Sequence, residues 1–219
     1  MKKERIGLFG GTYNPIHSGH LKAAEIVQKR FFLDEVLFIP SYIPPHKEYR
    51  GIADPRHRLK MVELAVRPFP RFVPSSLEID AQERSYSIIT LGKVRKLYPG
   101  SQIFFILGID AFLEINTWKE YQRVLEQCFF VVISRPGFHL GDARNVLGGE
   151  IERKMFLVPE TEAINHDMLN IYRIFLLPID ALSIASTEIR KRVMMGESIK
   201  SMVPEEVEVY IKENKLYQS

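Results

Sequence analysis

Short apolar runs alternate along the chain with segments whose apolar residues recur every three or four positions, the pattern of buried parallel strands separated by amphipathic helices. The first run, Arg5-Ile6-Gly7-Leu8-Phe9, reads as a buried strand, and Leu21, Ala24, Val27 and Phe31 follow at helical spacing. A second strand, Glu35 to Pro40, ends on proline and leads into a Pro-rich loop through Lys47. Asp54-Pro55 fits an N-cap with proline at the first helical position, and Leu59, Val62, Leu64, Ala65 and Val66 give that helix an apolar face ending near Arg67. Phe72 to Ile79 is a weaker strand in which Pro74 marks an edge or a bulge. A helix is predicted over Ser87 to Tyr98, stopped by Pro99-Gly100, then a central strand over Gln102 to Leu107. Trp118 to Leu125 reads as a short helix and Phe129 to Ile133 as a fifth strand.

This alternation predicts an α/β fold built on a doubly wound parallel sheet. In such sheets ligands bind beyond the carboxyl ends of the strands, where Gly10 to His20, Pro40 to Lys47, Gly108 to Asp110 and Ser134 to Gly137 all fall, so the loops are expected to converge on one cleft. Residues 138–183 carry weaker signals: loops at Gly141, Gly148 and Gly149, a small strand over Met155 to Val158, and either a strand or a buried helix around Ile171 to Leu177. Ser186 opens a helix to Met195 and Pro204 another ending near Asn214, a small helical portion at about residues 186–219. The Met194-Met195 pair and the scattered Tyr and Phe residues read as core.

A chain of 219 residues with 46% hydrophobic and 26% charged residues fits one domain with a full core. The formal charge of +3 is too small to argue for nucleic-acid binding, and local basic residues are better read as a substrate footprint. Cys128 is the one cysteine, at the head of an apolar run, so no disulfide framework exists and a buried thiol is expected. The first residues are too polar for a signal peptide and no stretch reaches membrane-spanning length, which points to a cytoplasmic protein without a membrane partner.

The chemistry concentrates in Gly10-Gly11-Thr12-Tyr13-Asn14-Pro15-Ile16-His17-Ser18-Gly19-His20, where a strand becomes a helix. Gly10 and Gly11 let the backbone turn and bring N–H groups close to an anion, and Thr12 adds a hydroxyl. Ser18, Gly19 or His20 opens a helix whose unpaired N–H groups and positive dipole end favour a phosphate. His17 and His20, three apart, share one face of the first turn and can both donate to phosphate oxygens. Gly7 to Gly11 does not fit G-x-G-x-x-G, no Gly-Lys-Ser/Thr closes a Walker-type loop, and two histidines at this spacing lack the companions of a zinc site, so no resident metal is predicted.

This loop resembles the signature of the nucleotidyltransferase superfamily that carries an H-x-G-H motif, and the chain is similar to the bacterial nicotinate-nucleotide adenylyltransferases. The likeness extends, in the family's order, through Pro44-Pro45-His46-Lys47, Arg84-Ser85-Tyr86-Ser87 with Thr90-Leu91, Gly108-Ile109-Asp110, Trp118, Ser134-Arg135-Pro136-Gly137 and Ser186-Thr187-Glu188-Ile189-Arg190. It implies a Rossmann-like nucleotidyltransferase fold and adenylyl transfer from ATP to nicotinate mononucleotide, giving deamido-NAD and pyrophosphate in NAD biosynthesis. Magnesium would accompany ATP, and a homo-oligomer stays open.

By this resemblance His17, His20, Lys47 and Arg190 are the catalytic set. Gly10, Gly11 and Thr12 with Ser186 and Thr187 join them on ATP, Lys47 standing on a proline-stiffened loop with His46 beside it as a secondary candidate. Ser85, Tyr86, Ser87 and Trp118 resemble the segment that holds the nicotinate ring, with Trp118 as the stacking partner in preference to a core residue and Asp110 on the ribose. Arg135 is grouped with the mononucleotide, with the ATP side left open. The family usually has a further serine where this chain has Ala185, so one phosphate hydrogen bond is expected to be missing. A phosphate monoester with a second pKa near 6 arrives largely dianionic, so no enzymic base is needed and catalysis falls to alignment and charge neutralisation. The alternatives are an amide acceptor (nicotinamide mononucleotide), a phosphopantetheine acceptor, a class I aminoacyl-tRNA synthetase, and a nucleotide sensor without turnover. No Lys-Met-Ser-Lys-Ser-like loop supports the synthetase reading.

Overall fold

The computed structural model describes residues 3–43, 51–160, 162–180 and 184–218. Its elements are β1 (Arg5–Gly11), α1 (Ser18–Phe31), β2 (Glu35–Pro40), α2 (Pro55–Val66), β3 (Phe72–Pro74), α3 (Ser87–Leu97), β4 (Gln102–Gly108), α4 (Ile109–Leu113), α5 (Tyr121–Gln127), β5 (Phe129–Ile133), α6 (Ala143–Val146), α7 (Glu150–Arg153), β6 (Met155–Leu157), α8 (His166–Ile171), β7 (Ile174–Leu177), α9 (Ser186–Met194) and α10 (Glu205–Glu213). Among the described residues the strands form one seven-stranded sheet in the order β3-β2-β1-β4-β5-β7-β6, with β1 beside β4 and every pair from there to β6 parallel. The non-sequential order with helical crossovers is that of a doubly wound α/β fold.

By internal contacts the chain gathers into two compact units. One comprises Met1–Phe9, Ala23–Val36 and Tyr86–Ala181, the other Gly10–Lys22, Leu37–Ser85 and Leu182–Ser219. The first has an aromatic core: in register, Phe104 faces Phe129 and Phe105 faces Phe130, with ring centroids 5.0 and 5.7 Å apart, and Phe31 lies edge-on to Phe104 and Phe175. Such pairs add roughly 0.5–1.5 kcal/mol each to the burial of their area. Gly7 suits this packing, because a Cβ there would sit 2.8 Å from Leu33 Cδ1 and 3.1 Å from Ile106 Cδ1 and the two buried side chains would have to shift. In the second unit the Asp54 side chain caps α2 through the Arg56 N–H, as the Asp-Pro pair predicts, and α2 meets α10 where His57 Nδ1 lies 2.8 Å from the Tyr210 hydroxyl.

Several expectations are corrected. The third strand stops at Pro74, which offers no N–H to the ladder, and a turn occupies the rest of the run to Ile79. The helix expected from Trp118 starts at Tyr121, since Trp118 is extended and Glu120 is left-handed, and α4 directly after β4 was hidden in the continuing apolar run. The ambiguous stretch near Ile171 to Leu177 is both things in succession, the end of α8 and then β7. The buried face of α2 is Arg58, Met61, Val62, Ala65 and Val66, so Leu59 and Leu64 are only partly covered. Met194 and Met195 are each 58% exposed rather than core, because α9 buries only Ile189, and Phe32 and Phe138 are exposed as well. Cys128 is buried as expected, and desolvation pushes its thiol well above the ordinary range. No helix among the described residues is long and apolar enough to cross a membrane.

Candidate active site

The predicted phosphate loop lies wholly in the second unit. β1 runs straight on through Gly10 and Gly11, so the turn is made two residues later than the glycines suggest, by left-handed Tyr13 and the cis Asn14-Pro15 bond. Gly11 lies tight against the buried Tyr13 ring, which a Cβ there would meet at 3.1 Å. α1 begins at Ser18, whose N–H is already bonded to Met202 O at 2.9 Å.

His17 and His20 are brought face to face, ring centroids 3.7 Å apart at 30°, with Tyr13 edge-on to His20 at 5.1 Å. The His17 backbone N–H donates to His20 Nδ1 at 3.3 Å, which makes Nδ1 the acceptor and leaves the proton on Nε2. His20 thus carries a donor on its outer nitrogen. His17 is 4% exposed and His20 is half-buried.

The second predicted phosphate element comes to the same loop. Ser186 Oγ donates to Pro15 O at 2.9 Å and an Arg190 terminal nitrogen donates to Asn14 O at 2.9 Å, so the start of α9 is fastened to the turn between Thr12 and His17. Ala185 occupies the N-cap of α9 in an extended conformation with no side-chain cap. A serine there could have capped the first-turn N–H groups, and alanine cannot. Thr187 is exposed in that first turn.

Three residues that sequence reasoning passed over hold this loop. The Asn14 side chain donates from Nδ2 to Gly51 O at 2.8 Å and accepts at Oδ1 from the Ala53 N–H at 3.0 Å and the Tyr217 hydroxyl at 2.9 Å. Arg58, fully buried on α2, donates to Ala53 O (2.9 Å), Thr12 O (2.7 Å) and Tyr42 O (3.1 Å). Arg58 had a signal, a cation on the buried phase of an amphipathic helix beside Met61, Val62 and Ala65. Ser85 also belongs here by its bonds: its Oγ accepts from the Tyr42 N–H at 3.0 Å and its N–H donates to Ile43 O at 3.2 Å. Lys47 and His46 lie outside the described residues.

The predicted acceptor residues other than Ser85 lie in the first unit. Tyr86 is the N-cap of α3 without a side-chain cap, which places Ser87 in an uncapped first turn. The Lys119 ammonium sits over the Tyr86 ring, 4.8 Å from its centroid, and so brings the neighbouring Trp118 segment to Tyr86. Trp118 itself is half-buried, edge-on to Phe105 at 5.7 Å. At the end of β4, Asp110 Oδ1 is 3.5 Å from Arg135 Nε, and a Cβ on Gly108 would stand 2.3 Å from that oxygen, so a larger residue there would push the pair aside. Among the described residues no cluster of three or more His, Cys, Asp or Glu side chains is placed to hold a metal.

The cytidylyltransferase-like family model matches residues 8–192, from the middle of β1 to nearly the end of α9. A probable nicotinate-nucleotide adenylyltransferase of Citrifermentans bemidjiense is 39% identical over 213 residues, 97% of this chain and 98% of that one. The chain belongs to the nicotinate-nucleotide adenylyltransferase family. A second member, a probable nicotinate-nucleotide adenylyltransferase of Desulfatibacillum aliphaticivorans, is 42% identical over 222 residues, 97% of this chain and 99% of its own. The fold is also that of a Plasmodium falciparum nicotinic acid mononucleotide adenylyltransferase complexed with NaAD, with a TM-score of 0.72 at 20% identity over 98% of this chain and 97% of that one. Membership makes this chain a nucleotidyltransferase with a Rossmann-like fold.

Proposed function

We propose that the protein transfers the adenylyl group of ATP to nicotinate mononucleotide. A phosphate oxygen of the mononucleotide attacks the α-phosphorus, the bond to the bridging oxygen breaks, and deamido-NAD and pyrophosphate result. One observation carries the reading: the stacked His17 and His20 and the Ser186–Arg190 element, far apart in sequence, are fastened to one turn of backbone. Such a site neutralises charge on the transferring and leaving phosphates without a carboxylate base, which a dianionic nucleophile does not need.

In this reading His20 donates from Nε2 to the phosphates beside His17, and the uncapped N–H groups of α9 with Arg190 hold the tail of the triphosphate. Lys47 adds a cation. Magnesium enters as part of the substrate, held by phosphate oxygens and water. For the acceptor, the uncapped N–H groups at the start of α3 suit a ring carboxylate and reject an amide NH2. Asp110 accepts from ribose hydroxyls, and Arg135 stands by it for the mononucleotide phosphate.

Pyrophosphate release measured with ATP and either the acid or the amide mononucleotide tests the proposal. Faster turnover with the acid is expected; preference for the amide would transfer the reading to nicotinamide mononucleotide, and no release with either would make the protein a sensor. Trp118→Ala is expected to raise the KM for the mononucleotide about tenfold, the usual worth of a lost aromatic contact of 1–1.5 kcal/mol, and to leave that for ATP within twofold. Equal effects on the two substrates would return Trp118 to the core.

A further inference from the structure

We propose that Tyr217 is a positioning residue for nucleotide binding: its hydroxyl orients the Asn14 carboxamide, and Asn14 in turn presents the carbonyl that holds Arg190. The inference rests on the phosphate role given to Arg190 above. Tyr217 and Asn14 are 203 positions apart, and their bond is 2.9 Å long.

The direction of that bond is fixed by its neighbours. Asn14 Oδ1 is identified as oxygen because the Ala53 N–H, which can only donate, points at it from 3.0 Å, while Nδ2 donates to Gly51 O at 2.8 Å. Tyr217 must therefore be the donor. It stays one, since burial raises its phenol far above the ordinary range and the opposing influence of Arg190 and Arg58 does not cancel this.

The chain is bent to deliver this hydroxyl. α10 ends in a Schellman motif, with the Leu216 N–H on Ile211 O, the Lys215 N–H on Lys212 O and Lys215 left-handed at φ 51°. Two residues later Tyr217 is left-handed again at φ 63°, a costly conformation for an aromatic residue. Gly51 and Ala53 already satisfy one N–H and one lone pair of the Asn14 amide, so Oδ1 keeps a partner without the hydroxyl. What it adds is a fixed carboxamide plane. From the same residue the main-chain oxygen receives Arg190 at 2.9 Å, and the next carbonyl, Pro15 O, receives Ser186. Asn14 itself is 5% exposed, and its tethered carboxamide ties down the stretch of main chain that carries both anchors of α9.

Tyr217→Phe keeps the ring and removes only the donor. Calorimetric titration with ATP alone is expected to give about fivefold weaker binding, the effect of one hydrogen bond of about 1 kcal/mol. The KM for the mononucleotide should stay within twofold and the unfolding midpoint within about 2 °C. In an Arg190→Lys background the same change is expected to have no further effect on ATP binding, because the two act through one residue, Asn14, from its side chain and its main chain. Equal losses for both substrates, additive losses with Arg190→Lys, or unchanged ATP binding would each overturn the proposal. If Arg190→Lys alone leaves ATP binding intact, the phosphate role of Arg190 fails, and this inference falls with it for a reason separate from Tyr217.

Discussion

His20→Ala is expected to lower kcat for pyrophosphate release by roughly 10²- to 10³-fold, the usual loss when one preorganised donor to a developing charge is removed. The fold should survive, because His20 is half-buried at a helix start and its removal exposes little core. Two replacements separate the donor from the rest of the ring. Asparagine can reproduce the acceptor that the His17 N–H meets at 3.3 Å, but its amide ends where Nδ1 was. Glutamine reaches the position of Nε2 and restores a donor there. His20→Gln should therefore recover part of the rate and His20→Asn little of it. Steady-state rates at saturating ATP and mononucleotide decide the matter, and an alanine variant within fivefold of the parent would remove His20 from the chemistry.

His17 is the more constrained ring. It is 4% exposed, and its stack on His20 at 3.7 Å means that each imidazole sets the orientation of the other. His17→Ala should give a loss of the same order, and the double variant should cost less than the product of the single losses, since contacting groups rarely act independently.

How much of this could be read from the residues depended on whether the information was local. β1, β2, β4 and β5 were legible because strands covered on both faces are runs of apolar residues, and α2 because Asp54-Pro55 announces its start. The phosphate loop was legible because Gly10 to His20 packs its chemistry into one stretch, with its partner element marked by Ser186, Thr187 and Arg190. Its shape was not: two glycines suggested the bend, but the backbone turns at Tyr13 and Asn14-Pro15. Short helices such as α6 and α7, four residues each, have too few turns to show a period. α8 did carry a signal, Asn165 accepting from the Met168 N–H three residues on, easily missed before so short a helix. Tyr217 and Arg58 escaped for the opposite reason. Their meaning lies in partners 203 and 46 residues away, and although the buried phase of α2 marks Arg58 as covered, nothing in the sequence names what either side chain binds.

Arg58→Ala is expected to be the most destabilising single substitution outside the apolar core, by about 3–5 kcal/mol. Three charge-assisted hydrogen bonds disappear together, each worth up to roughly 1.5–3 kcal/mol, and part of that is recovered as water reaches the freed carbonyls. The guanidinium joins three separate pieces of chain: Thr12 at the head of the phosphate loop, Tyr42 after β2, and Ala53 before α2. Its planar fork is what allows one side chain to serve three carbonyls, so lysine, a single ammonium on a longer-jointed stem, should satisfy one of them and recover about a third of the loss. For a chain of this size 1 kcal/mol corresponds to about 2–4 °C, so the unfolding midpoint followed by circular dichroism should fall by roughly 10 °C in the alanine variant and less in the lysine variant. Thr12 is also the residue from which the turn departs, so ATP affinity in Arg58→Lys should weaken at temperatures where the protein is still fully folded. A midpoint within about 2 °C of the parent, or equal stability of the alanine and lysine variants, would show that the three carbonyls do not depend on this fork.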